Sequence, residues 1–140
     1  MIMGIAEEMN SSALAEGDVA VTVAQVVSTA LGLEHQLSDP PTEIRPQLGV
    51  IGESEIRASG WIDDWSPERI EIEVRKSHEI RERYWLAQLH FFDWGPLLFV
   101  CGANHSAPFS ALLRENGFEV VVAFADWVPT PAVNPDIARI

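Results

Sequence analysis

In this 140-residue chain the residues able to do chemistry gather where apolar runs stop. Glu7-Glu8 follow Ile2-Met3-Gly4-Ile5-Ala6, and Ser38-Asp39 follow residues 33–37. Cys101-Gly102-Ala103-Asn104-His105 close the run from Leu97, and Asp126-Trp127 follow residues 118–124. If each run is a strand of one parallel sheet, these groups share a rim, because ligands bind beyond the carboxyl ends of such strands. The plain alternative is that a buried strand ends in polar residues wherever it reaches water.

His105 stands foremost. It lies just ahead of an expected helix whose free N–H groups favour negative charge, and a neutral imidazole there can bind metal or act as a general base. Its plain role would be to cap that helix. Glu7 and Glu8 point to opposite sides of an extended chain, so only one is expected to face the site. His105 with Glu8 or Glu7 forms the candidate catalytic set, and His105 with Glu8 the candidate ligand pair for a divalent metal. Asp39, fixed ahead of Pro40-Pro41, joins Asn104, Asp126 and Arg81 as a candidate ligand-binding residue. As a rim residue, His105 is expected to carry little packing. A Cys101–His105 thiol pair is a rival chemistry, but Cys101 ends an apolar run and is expected to be buried and unreactive.

The elements that must position these groups follow from periodicity. The opening run reads as a strand. Asp18 is expected to cap a helix over 19–31, with Thr22, Gln25 and Thr29 as its polar stripe and Gly32 at its end; alternation of Val19, Val21 and Val23 is the strand rival. Residues 33–37 read as a short strand, and 42–65 give no clear pattern. Ser66-Pro67 start a helix running to about Phe91, expected to break near Ser77-His78, while alternation over 69–75 keeps a strand open there. Residues 97–101 read as a strand buried on both faces. Ser106 is expected to cap the next helix, with Pro108 in its first turn and Leu112 and Leu113 on the sheet. Residues 118–124 then return as a parallel strand through a right-handed crossover.

The fold class expected is therefore α/β, a small three-layer sandwich with a mostly parallel sheet of four or five strands. Residues 1–128 form one domain and 129–140 a Pro-rich tail. With 9 Lys+Arg against 21 Asp+Glu the net charge is −12, which disfavours nucleic acid as a partner. No apolar run is long enough for a membrane span, and a single cysteine points to a cytoplasmic setting. Arg69, Arg75, Lys76, Arg81 and Arg83 interleave with acids, as helix-surface pairs do. Trp61, Trp65, Trp94 and Trp127 sit at element ends and could line a pocket or an oligomer contact. No P-loop, dinucleotide glycine fingerprint, CxxC pair, HExxH or GxSxG occurs.

The stretch from Pro96 through Gly102-Ala103-Asn104-His105, Leu112-Leu113 and Asn116-Gly117-Phe118-Glu119-Val120 resembles the closing segment of the TraB/GumN/Tiki-like superfamily. There a strand ends in Gly-x-x-His, and metal-dependent hydrolases of the group use two such motifs and a glutamate. The resemblance implies a role for Gly102 and His105 as the second motif, with Glu7 or Glu8 as the acidic residue. No Gly-x-x-His follows the first strand here, and the likeness spans about 30 residues. Two readings of function result. One is a metal-assisted hydrolase with its site at the strand ends. The other is a non-catalytic module that binds a small molecule, a partner protein or a second copy through the Trp-rich rim.

Overall fold

The computed structural model describes residues 1–10, 21–89 and 95–125. Asp18, Trp94, Asp126, Trp127 and the tail 129–140 lie outside them. The elements are β1 (Gly4–Glu7), α1 (Val23–Leu31), β2 (Glu34–Leu37), α2 (Arg45–Leu48), α3 (Glu53–Ile62), α4 (Pro67–Leu89), β3 (Leu97–Val100) and α5 (Ala103–Glu115). The fold is α/β. All pairings are parallel, in the order β2-β1-β3, with Ile5 opposite His35 and Leu98, and Glu7 opposite Leu37 and Val100. The sheet has three strands among the described residues, not four or five.

The strand order explains where helices and site go. From β1 the chain moves outward to β2, then returns to the far side of β1 as β3. Right-handed crossovers in opposite directions place their helices on opposite faces, so α1 covers one face of β1–β2 while α4 and α5 cover the other. The main core lies under α4 and α5: Ala6, Trp85, Leu89, Phe109, Leu112 and Leu113, flanked by Leu97 and Phe99. Trp85 is fully buried and meets Phe109 edge to face at 5.3 Å. No helix of the described residues is long and apolar enough to cross a membrane.

Several elements depart from expectation for local reasons. Thr22 caps α1, its hydroxyl accepting from Gln25 N at 3.1 Å, and Gly32 ends the helix at φ +64°. The unclear stretch 42–65 holds α2 and α3. Gly60 lets α3 approach α4 closely, since a Cβ there would lie 2.6 Å from Ile70 Cγ1. Ser66 caps α4 as expected, accepting from Arg69 N, but the helix runs unbroken for 23 residues. The Ser77 hydroxyl turns outward to the N–H and carbonyl of Ile51 instead of competing for its own helix.

α5 begins three residues before Ser106, with Gly102 as a cap that offers no side chain. Asn104 is therefore helical, and Pro108 sits in the helix interior, where it deprives the Asn104 carbonyl of its usual donor. Leu112 and Leu113 are buried and Arg114 and Glu115 exposed, as expected. Residues 118–124 form no strand. Phe118 N bonds Leu113 O at 3.0 Å and Arg114 bonds Val120 O at 3.2 Å, so the start of this run is tied to the end of α5.

Candidate functional site

The point where the chain reverses between β1 and β3 is a switch point, and in open parallel sheets a crevice opens there. Here it is a cleft of about 310 Å³. Glu8, one residue past β1, and Gly102 to His105, just past β3, form one wall, and Arg81 and His78 of α4 another. Arg45, Ile51 and Glu53 close the remaining side.

Arg81 organises the charges. Its Nη2 donates to Glu8 Oε1 at 2.6 Å and its Nε to Asp39 Oδ1 at 2.8 Å. Burial works against its charge, but the hydrogen bonds to Asp39 and Glu8 win and raise its pKa. Asp39 also accepts from Trp85 Nε1 at 2.9 Å and from the Arg45 guanidinium. Glu8 Oε2 accepts from Gly102 N at 2.8 Å, so this carboxylate is held at the start of α5, where the helix dipole favours it.

His105 is only 4% exposed. Its Nδ1 lies 2.8 Å from Oε1 of Glu82, which is 2% exposed and pairs through Oε2 with Arg75. In the neutral ring Nδ1–H donates to Glu82, and Nε2 keeps a lone pair. That Nε2 lies 3.5 Å from Glu8 Oε1. Trp85 packs edge-on against the imidazole at 4.8 Å, and the His78 ring lies 4.3 Å away. His78 has its pKa lowered by burial, then by His105, Arg75 and Arg81. His105 is thus a packed residue, not the lightly held rim residue expected.

The structure brings together Glu8, Asp39, Arg81, Asn104 and His105, as the strand-end reading requires. Glu7 goes elsewhere. It faces the opposite side of the sheet, where it accepts from Thr22 Oγ1 and lies 2.6 Å from His35 Nε2. Cys101 is half-buried rather than fully buried, and its thiol is pushed up to about 11 by burial, then by Glu8 and Glu82, so it makes a poor nucleophile. Trp61 is exposed and Trp65 stacks under Arg69 at 4.2 Å; neither lines the cleft.

Residues the pattern missed are Glu82, Arg45 and His78. Glu82 was readable: Val74, His78, Glu82, Trp85 and Leu89 fall on one helical stripe, and a glutamate inside it needs a buried partner. A metal fits this cleft poorly. Both oxygens of Glu8, which was expected to share a metal with His105, are already held, and no group of three His, Cys, Asp or Glu is placed for a metal among the described residues. No family model, curated protein or solved structure matches this chain.

Proposed function

We propose that the cleft is the site of a proton-transfer enzyme of the hydrolase class. His105 is the general base that activates water, and Glu82 fixes its tautomer. The observation that carries this reading is the buried Glu82–His105 pair at 2.8 Å with Nε2 turned to the cleft. Burying two ionisable groups against each other is a poor source of stability compared with apolar packing, so a chemical use accounts better for the pair. Glu8, held by Arg81 and Gly102 N, meets the imidazolium when His105 takes a proton. The cleft volume suits a small substrate.

Two measurements test the reading. Imidazole nitrogen NMR should report Nδ1–H on His105, lost in Glu82→Gln. Across a panel of activated carboxylic and phosphoric esters, His105→Gln should lower turnover by about 10²–10⁴-fold, the usual contribution of a general base. A folded His105→Gln protein that hydrolyses the panel as fast as the parent would defeat the proposal. Undiminished binding of panel members with no turnover in either protein would favour a non-catalytic small-molecule module.

A further inference from the structure

A second cavity, of about 260 Å³, lies between α3 and α4, and Ile51 lines both it and the cleft. Two contacts fix its shape. Gly60 lets the helices close on each other at Ile70 near their turn. At the far end the Ser77 hydroxyl donates to the Ile51 carbonyl at 2.6 Å and accepts from its N–H at 3.0 Å, which ties the chain ahead of α3 to α4. Between these points Ile51, Ile56 and Ile80 supply apolar surface, and Trp65, from the turn joining the helices, adds its ring. The charges of the lining are Glu55, Glu73 and Lys76. Glu73 accepts from Lys76 at 2.8 Å, while Glu55 has no ion pair among the described residues. That sets Glu55 apart from its neighbours. Glu53 and Glu71 share Arg57, Glu79 takes Arg83 and Glu82 takes Arg75, so every other glutamate of α3, and of α4 beyond its first turn, has a basic partner.

We propose that this cavity binds a small apolar amine, its hydrocarbon body among the three isoleucines and its ammonium on Glu55. An apolar hollow with a few placed polar groups is the usual form of a small-molecule site. Glu73 and Lys76 cancel, which leaves Glu55 as the net charge of the lining. The chain as a whole agrees in sign, since a net charge of −12 draws cations in and opposes anions. Walls pinned at both ends stand ready before a ligand arrives, so binding spends little on ordering them. The site is separate from the His105 chemistry and does not rest on it.

Titration of the full chain with benzylamine, followed by backbone amide NMR, tests this. The expected result is saturable shifts at Ile56, Ser59 and Ile80 with a dissociation constant of about 1 mM, as suits a ligand of so few atoms. Benzyl alcohol, which lacks the charge, should bind about fivefold more weakly, the upper range for an exposed ion pair. Glu55→Gln should weaken benzylamine by the same factor. Ser59→Leu, which suits a helix and fills the hollow, should abolish the shifts while keeping the helix signal. Glu115→Gln, on the exposed side of α5, should change nothing. Absence of saturable shifts far above the expected constant overturns the proposal. So do benzyl alcohol bound as tightly as benzylamine, shifts confined to Glu8, Arg81 and His105, or parent-like binding in both Glu55→Gln and Ser59→Leu. Equal weakening by Glu115→Gln overturns it too, because net charge alone would then be drawing the amine. The shifts need no turnover, so a cleft that hydrolyses nothing leaves this site standing.

Discussion

Glu7 and Glu8 are neighbours in sequence and sit in opposite kinds of surroundings. Glu7 turns to the α1 side of the sheet, where Thr22 and His35 converge on one of its oxygens. That cluster joins β1, β2 and the start of α1, on the far side of the sheet from the cleft. Glu8 turns to the rim, where Arg81 and Gly102 N hold it beside His105 at the edge of a cleft. The first arrangement fastens elements together. The second holds a carboxylate ready beside a base. An acidic residue at a strand end therefore has no fixed meaning, and the face it takes decides whether it ties or works.

The largest effect that would break this contrast is on the Glu8 side. Arg81→Ala leaves the Glu8 and Asp39 carboxylates short of their shared cation, and should destabilise the fold by about 3–4 kcal/mol in urea unfolding, as loss of one partner from a buried ion pair does. A loss under about 1 kcal/mol would mean the cleft charges are solvated and not built in. Glu7→Ala comes next. It strips Thr22 and His35 of their acceptor, and should cost about 2 kcal/mol while leaving the His105 imidazole resonances in place. Disturbed His105 signals in that variant would show that the two clusters act as one.

A smaller effect lies in pH. The His78 pKa is lowered in the folded chain, so its neutral form is favoured there. Below about 6.5 the unfolded chain binds a proton that the folded chain resists, and stability falls until the pH passes the folded value. His78→Gln should flatten that part of the stability profile, and an unchanged slope would remove His78 from the explanation. The smallest effect concerns Cys101. With its thiol pushed up to about 11 from 9.0, it holds roughly a hundredfold less thiolate near pH 8 than an exposed cysteine. Thiol labelling of the native chain should be slower than in urea by a similar factor, and equal rates would reopen the thiol reading.

Much of the cleft is legible in the sequence. Strand ends are marked by where apolar runs stop, and parallel sheets gather their carboxyl ends, so Glu8, Asp39 and His105 could be assigned to one rim. Arg81 was readable as a helical residue near the face that carries Val74 and Trp85. Glu82 was hidden among the alternating charges of α4, whose exposed members form ordinary surface pairs such as Arg83 with Glu79. Its stripe position carried the signal, and the surrounding charge obscured it. Residues 42–65 were opaque because α2 is a four-residue helix and α3 is only weakly apolar on its inner side.

By itself the sequence determined the α/β class, the parallel strands β1, β2 and β3, the capped start of α4 and the passage from β3 into a helix at Gly102. Those features rest on local causes: uninterrupted apolar runs, a serine ahead of proline, and glycine where a strand gives way to a helix. Tertiary structure alone decided the rest. It set which of Glu7 and Glu8 faces the cleft, because neighbours on an extended chain point to opposite sides and only the packed helices choose between those sides. It placed Glu82 against His105 and turned the valines of α1 outward, because both outcomes depend on partners distant in the chain. It kept residues 118–124 off the edge of β3, because the end of α5 satisfies their first backbone groups locally. Periodicity reports where a side chain can point; only the contacts made across the chain report what it meets.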